Sequence, residues 1–173
     1  MLRSILSMGF ILLSACTNSP QGITAVDNFV VERYLGKWHE IARLDHGFER
    51  GLTKVTAEYS LRADGGIKVI NRGFDAETQE WQTAEGKAYF VEDANTGHLK
   101  VSFFGPFYGA YVIFELDKYD YQYAYIAGPN RDYLWLLARQ PNLNNAQKQD
   151  FVTSAQALGF ETDELIWLDE PPE

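Results

Sequence analysis

The side chains best suited to acid–base or metal chemistry lie between positions 39 and 46. They are His39, Glu40, Asp45 and His46. The two histidines lack a spacing at which one strand or one helix presents both to a metal. The chain also has no Gly-x-Ser-x-Gly elbow and no phosphate-binding loop. We therefore expect no catalytic residue, no metal site and no cofactor.

Length and charge narrow the function classes further. The chain has 173 residues, with 24 acidic against 15 basic side chains and a formal charge of −9. This size predicts one domain, and the acidic balance argues against a nucleic-acid partner. A single cysteine excludes an internal disulfide framework and a cysteine zinc site. The unusual feature is the supply of aromatic residues, namely 4 Trp, 10 Tyr and 11 Phe.

The single cysteine follows an export signal. Residues 1–15 carry one basic residue and then an apolar run too short to span a bilayer. The tetrapeptide Leu13-Ser14-Ala15-Cys16 resembles the lipobox of bacterial lipoproteins. That resemblance implies cleavage before Cys16 and acylation of Cys16 as a membrane anchor, whereas a free thiol at this position is the less favoured alternative. Thr17, in place of the aspartate that retains such proteins in the inner membrane, implies the outer membrane.

The mature chain divides into a tether and one folded domain. Residues 16–28 are small and polar and predict a lipidated tether, and residues 29–173 predict the domain. Within it, short stretches rich in Val, Ile, Tyr, Phe and Thr alternate with turn residues. They predict an all-β fold, an eight-stranded up-and-down antiparallel β-barrel or calyx. The predicted strands are 38–44, 53–61, 67–74, 83–91, 98–104, 110–116, 121–127 and 133–139.

The pattern changes after the eighth predicted strand. Asn142 or Asn144 can cap an amphipathic α-helix that we expect to pack on the outside of the barrel. Phe151 and Ala155 share its apolar face, and Gly159 is placed to end it. Residues 165–168 then predict a short ninth strand.

Strand alternation indicates where the aromatic side chains point. It predicts an inner face that carries both small residues and large rings, which favours a lined cavity, although a packed core is the competing interpretation. The open-end loops supply a predicted mouth, where His46 could meet a polar headgroup or simply be solvated. The predicted cavity residues are Tyr59, Phe90, Val101, Phe103 and Tyr111, and the predicted mouth residues are His46, Phe48, Phe107 and Tyr108.

Strand parity also places two residues at the closed end of the barrel. The first strand starts and the eighth strand ends at the same end, so Arg139 is expected beside Trp38. A guanidinium over an indole face stabilises a partly desolvated contact and leaves N–H groups for backbone carbonyls. We therefore predict a structural floor made by Trp38 and Arg139.

These features together resemble the lipocalin family. The segment Gly36-Lys37-Trp38 is similar to its first signature, 118–121 to its second, and Arg139 to its third. With the lipobox, the chain is similar to the bacterial outer-membrane lipoprotein lipocalins, although His39 stands where the family more often has Tyr. The resemblance implies a carrier of fatty acids or lysophospholipids with a role in envelope maintenance under stress. An envelope interaction module whose mouth binds a partner protein remains the alternative, and a homodimer is compatible with both.

Overall fold

The computed structural model describes residues 17–168, so the predicted signal peptide and Cys16 lie outside the described residues. These residues form one antiparallel sheet, two α-helices and one 3-10 helix. The elements are α1 (Val31–Tyr34), β1 (Gly36–Arg43), β2 (Leu52–Leu61), β3 (Ile67–Asp75), β4 (Glu80–Phe90), β5 (His98–Ser102), β6 (Gly109–Leu116), β7 (Tyr123–Ala127), β8 (Leu134–Ala138), α2 (Asn145–Ala157), the 3-10 helix (Thr162–Glu164) and β9 (Ile166–Trp167).

The sheet closes on itself through β1. Each strand from β1 to β8 pairs antiparallel with the next. The first half of β1 pairs with β2, with Trp38 opposite Ala57, and its second half pairs with β8, with His39 opposite Ala138. All eight strands are therefore paired on both sides, which leaves no open edge. The predicted eight-stranded barrel is confirmed.

The helix and the ninth strand pack on the outside of the barrel, as predicted. Asn144 caps α2 with a capping box to Gln147, which decides between the two predicted caps. Gly159 follows the helix with a φ of +82°, a conformation that glycine adopts without strain. β9 pairs with β1, with Ala42 opposite Trp167, so it adds to the outside of the closed sheet.

The apolar residues form two cores, one on each face of the barrel wall. In β2 the side chains of Val55, Ala57 and Tyr59 are buried inside the barrel, and the residues between them face outward. The second core lies between the outer wall and α2, where Phe151 packs edge-on against Tyr125 with ring centroids 5.0 Å apart. The Tyr125 hydroxyl donates to Asp150 at 2.8 Å and so fixes α2 on the wall.

The segment before the barrel packs against the barrel at several points of its described length. Ile23 is 4% exposed, in the core under α2. The Val26 N–H donates to the Ile113 carbonyl at 2.9 Å. The segment has no apolar period because isolated hydrogen bonds and single side chains hold it, so no local pattern indicates this packing. No helix within residues 17–168 is long and apolar enough to cross a membrane.

Candidate ligand-binding site

The barrel encloses a cavity of about 260 Å³ that opens at one end. The loops at 44–51, 76–79, 103–108 and 128–133 surround this open end, and the loops at 62–66, 91–97 and 117–122 lie at the closed end. Small side chains on neighbouring strands create the space. Most of the lining is apolar and includes Val55, Ala57, Ile67, Val69, Ala88, Leu99, Val101, Phe103 and Leu137.

Four of the five predicted cavity residues line this space. They are Tyr59, Val101, Phe103 and Tyr111. Phe103 lies against Gly86, where an added Cβ would come within 2.8 Å of the ring, so glycine is what lets this ring lie flat on the inner wall. The close fit fixes one side of the opening.

Phe90, the fifth predicted cavity residue, is not among the residues that line the cavity. Its ring packs edge-on against Phe29, with centroids 6.1 Å apart, in the core below. The predicted inward direction was correct, because Ala88 two residues earlier does line the cavity. Phe90 lies about 7 Å further toward the closed end. At that depth Phe29, from the segment before the barrel, already fills the interior.

Two of the predicted mouth residues line the cavity near its opening. Phe48 is 37% exposed, and its ring lies 4.7 Å from that of Phe103. His46 lines the cavity too, but it is buried and therefore not a solvated loop residue.

The other two predicted mouth residues do not line the cavity. Phe107 is 75% exposed in the loop after β5. Tyr108 lies on the outer wall, where the Nζ atoms of Lys87 and Lys100 are 5.9 and 5.5 Å from its ring centroid. The two lysines project outward from adjacent strands, and their attraction for the ring favours the outer face. Strand alternation does not extend through a loop, so it could not predict this direction.

A buried charged cluster at the cavity wall was not predicted. The Arg43 guanidinium donates to the Glu40 carboxylate at 2.7 Å and to the Glu49 carbonyl at 2.8 Å. The Glu49 carboxylate accepts from the indole N–H of Trp135 at 3.0 Å, and Nε2 of His46 lies 3.2 Å from the same oxygen. Glu40, His46, Glu49 and Trp135 line the cavity, whereas Arg43 lies behind it.

The two buried carboxyl groups have opposite pKa shifts. Burial, followed by the negative charge of Glu49, raises the pKa of Glu40 well above its usual value, despite the opposing effect of Arg43. Burial also acts to raise the pKa of Glu49, but the close contact with His46, the hydrogen bond from Trp135 and the positive charge of Arg43 outweigh it, so the pKa is lowered. Glu49 is thus the carboxylate that carries the negative charge at the cavity wall.

The sequence contained a partial signal for this cluster. Glu40 has the same parity in β1 as Trp38, and this places a carboxylate on the inner face. Glu49 lies in a loop, where no period indicates direction. Within residues 17–168, no group of three or more His, Cys, Asp or Glu side chains is arranged to hold a metal ion.

Three tyrosines lie deeper in the cavity. The Tyr111 hydroxyl is hydrogen-bonded to those of Tyr34 and Tyr59, at 2.8 and 2.9 Å. Burial raises the pKa of all three above the usual tyrosine value, so each keeps its proton. Tyr34 was not predicted because it belongs to α1, which has no periodic signal over its four residues.

The closed end is sealed by Trp38 and Arg139. The guanidinium lies 3.9 Å from the indole centroid, and Trp38 is fully buried. Arg139 donates to the carbonyls of Arg33 and Lys37, both at 2.8 Å, and to those of Leu35 and Tyr121. The indole N–H donates to the Tyr34 carbonyl at 2.8 Å. Arg139 therefore joins the segment before β1 to the end of β8.

An eight-stranded calyx with a sealed floor, an apolar cavity and an external helix defines the class of small-ligand-binding barrels. Residues 27–170 match the family model of the lipocalin-like domain. The chain belongs to the lipocalin family.

Similar proteins support the family and the location. The chain is 52% identical to the outer membrane lipoprotein Blc of Vibrio cholerae, over 92% of this chain and 94% of that protein. It is 54% identical to the outer membrane lipoprotein Blc of Citrobacter freundii, over 92% and 91%. Insecticyanin from the tobacco hornworm Manduca sexta shares the fold, with a TM-score of 0.69 at 20% identity over 88% of this chain and 87% of that one. The names of the bacterial relatives support the predicted outer-membrane, lipid-anchored location, and the family indicates a small lipophilic ligand.

Proposed function

We propose that this protein is a carrier or store for single-chain lipids, namely fatty acids or lysophospholipids, and not an enzyme. The main observation that supports this proposal is the apolar cavity of about 260 Å³ that opens between the loops of the barrel. The predicted anchor on Cys16 would keep the carrier at the outer membrane, where it would serve envelope maintenance under stress.

Cavity size and chemistry support one acyl chain. The volume lies just below the range of about 300–1,000 Å³ typical of small-molecule sites, which favours one chain over two. Each buried methylene contributes about 0.8 kcal/mol, so a chain of about twelve carbons contributes on the order of 10 kcal/mol before the costs of ordering and association.

The test is titration of the purified mature domain with a fluorescent fatty acid, together with a matched pair of variants. Val69 lines the cavity, and Ile70 beside it on β3 does not. Val69→Phe should fill the cavity and abolish binding, whereas Ile70→Phe should keep the one-to-one binding expected of the unmodified protein. Failure of the folded, unmodified domain to bind any long-chain lipid would contradict the proposal.

A second candidate function is an envelope interaction module. Phe104 and Phe107 are 71% and 75% exposed beside the opening, and exposed rings of this size favour contact with another apolar surface. For this function Phe107→Asp should abolish a partner contact, and Tyr111→Trp, which changes the cavity, should not. The reverse pattern would favour the carrier. A homodimer remains compatible with both functions.

A further inference from the structure

The charged cluster leaves buried polar atoms without partners at the cavity wall. Both ring nitrogens of His46 are buried and make no hydrogen bond to any described residue, although Nε2 lies 3.2 Å from a carboxylate oxygen of Glu49. The Oδ1 atom of Asn71 is also buried without a hydrogen bond, while Nδ2 of the same amide donates to the Glu49 carboxylate at 3.4 Å. Both residues line the cavity beside Glu49. Unpaired buried polar atoms are costly, so their presence in a cavity wall indicates a bound polar group.

The polar atoms of this wall that a ligand could reach are mainly hydrogen-bond acceptors. In the ring tautomer that carries its proton on Nε2, the nitrogen 3.2 Å from the Glu49 carboxylate, Nδ1 of His46 presents a lone pair. Asn71 presents its carbonyl oxygen, and Glu49 is an acceptor only. The indole N–H of Trp135 is already donated to Glu49. In that tautomer a group bound here supplies the hydrogens.

Charge and aromatic faces point to the same kind of group. Around the His46 ring, the rings of Trp135 and Tyr133 have centroids at 5.0 and 5.3 Å, and that of Phe48 lies at 6.5 Å. Aromatic faces beside a carboxylate attract a cation. A ligand carboxylate in this place would instead lie next to Glu49 and be repelled.

We propose that Glu49, His46 and Asn71 form an amine subsite, which holds the protonated primary amine of a single-chain amphiphile. The proposal rests on the function proposed above and specifies its ligand. A primary ammonium has N–H groups for the three acceptors, and a quaternary ammonium has none. The amine can belong to a lysophospholipid headgroup of the ethanolamine type or to a simple long-chain amine.

The test compares three probes with the same twelve-carbon chain: dodecylamine, dodecyltrimethylammonium and laurate. Each is measured at neutral pH, below its micelle concentration, by displacement of a fluorescent fatty acid. Dodecylamine should bind about tenfold or more tightly than either other probe, because only it can satisfy the acceptors. The trimethylammonium probe controls for the general attraction of a cation to a chain of net charge −9.

A second comparison identifies the source of the amine. Lysophosphatidylethanolamine and lysophosphatidylcholine with one common acyl chain differ only at the nitrogen. Preference for the ethanolamine lipid by about tenfold indicates a headgroup site. Equal binding of these two lipids, with dodecylamine still preferred among the probes, indicates a site for simple amines.

Glu49→Gln tests the location of the subsite. It should abolish the preference for the amine while laurate still binds. The matched control is Glu58→Gln, on the exposed outer face of β2, which should keep the preference. Circular dichroism establishes that each variant is folded, and the ranking of probes on the unmodified protein does not depend on any variant.

The outcomes separate this proposal from the one on which it rests. Equal affinity for dodecylamine and its trimethyl analogue overturns the amine subsite and leaves the carrier function standing. An unchanged preference in folded Glu49→Gln overturns the assignment to these residues. Failure of all three probes to bind contradicts the carrier function itself and the amine subsite with it.

Discussion

Glu40 and Glu49 share one guanidinium, that of Arg43, inside a mostly apolar barrel. The two carboxyl groups differ in the number of N–H groups that lie beside them. Glu49 has the indole N–H of Trp135 and the His46 ring at its carboxylate, whereas Glu40 has Arg43 alone. Two adjacent buried carboxylates repel each other, so the better-solvated one stays ionised and the other retains its proton more readily. The polarity of the cavity wall therefore depends on which carboxyl group holds the proton.

This arrangement predicts a specific pH dependence of stability. The raised pKa of Glu40 means that the folded state binds this proton more tightly than the unfolded state. Above the unfolded pKa of about 4.3, the contribution of Glu40 to the free energy of unfolding therefore falls as pH rises toward the folded pKa. Glu40→Gln keeps an acceptor for Arg43 and does not titrate. The variant should gain stability relative to the unmodified protein, by about 1.4 kcal/mol for each pH unit of rise between the unfolded and folded pKa values.

Urea denaturation of both proteins between about pH 4 and pH 8 measures this difference. The opposite contribution of Glu49, which is lost as pH falls through its lowered pKa, is present in both proteins. A difference in unfolding free energy that stays constant across the range would contradict the assignment of the raised pKa to Glu40.

At the scale of elements, the strands and α2 were predictable, whereas the path of the open-end loops and of the segment before the barrel was not. A strand is indicated by alternation over five or more residues, as in β2 and β5, and a closed barrel follows when eight such strands are joined by short turns. The positions of Trp38 and Arg139 at one end follow from counting strand reversals. The loop at 44–51 has no such rule, because its path is fixed by Arg43, which donates to the carbonyls of Glu49 and Leu52.

The same difference explains where the lining of the cavity departs from the predicted site. Tyr59 and Tyr111 are in strands, and parity placed them in the cavity wall. Tyr108 is in a loop, and its direction is set by two lysines on other strands. Asn71 follows Ile67 and Val69 in the alternation of β3, so parity also places it in the cavity wall. Glu49 lines the cavity through contacts between distant segments, which no local pattern encodes. Depth along the barrel axis was also not predictable, because Phe29 enters the interior from outside the strands.

Arg139 is the connection between elements whose loss should be most costly. Lysine keeps the charge but cannot reach several backbone carbonyls with one ammonium group or stack flat on an indole. Arg139→Lys should therefore lower the free energy of unfolding by about 2–3 kcal/mol. The matched control is Arg50→Lys, in an exposed pair with Asp45, where about 0.5 kcal/mol or less is expected. Chemical denaturation of both variants measures this, and equal effects would contradict the role assigned to the floor.

At the scale of the whole molecule, the start of the described chain lies near the closed end. The carbonyl oxygen of Thr17 is 2.9 Å from Nε2 of His98, the first residue of β5. Thr17 directly follows the predicted lipidation site, so only a very short stretch of chain would join the barrel to the membrane. The cavity opens at the opposite end of the barrel. In the lipidated protein, the closed end should therefore face the anchoring membrane and the mouth should face away from it.

Site-specific fluorescence tests this orientation. Glu92→Cys places one label at the closed end and Thr78→Cys places one at the open end, both at exposed positions. The lipidated protein is bound to vesicles that contain a lipid-attached quencher. The label at position 92 should be quenched more strongly than that at position 78, whereas stronger quenching at position 78 would show that the mouth faces the membrane.

Native mass spectrometry tests the central claim most directly, because it weighs the mature protein together with whatever its cavity holds. The protein is extracted from the bacterial envelope in which it was produced and is compared with its Val69→Phe variant. The unmodified protein should carry one additional mass equal to a single-chain lipid, and the filled-cavity variant should carry none. An unmodified protein that carries no such lipid, or a folded variant that carries the same mass, would contradict a lipid carrier with its site inside the barrel.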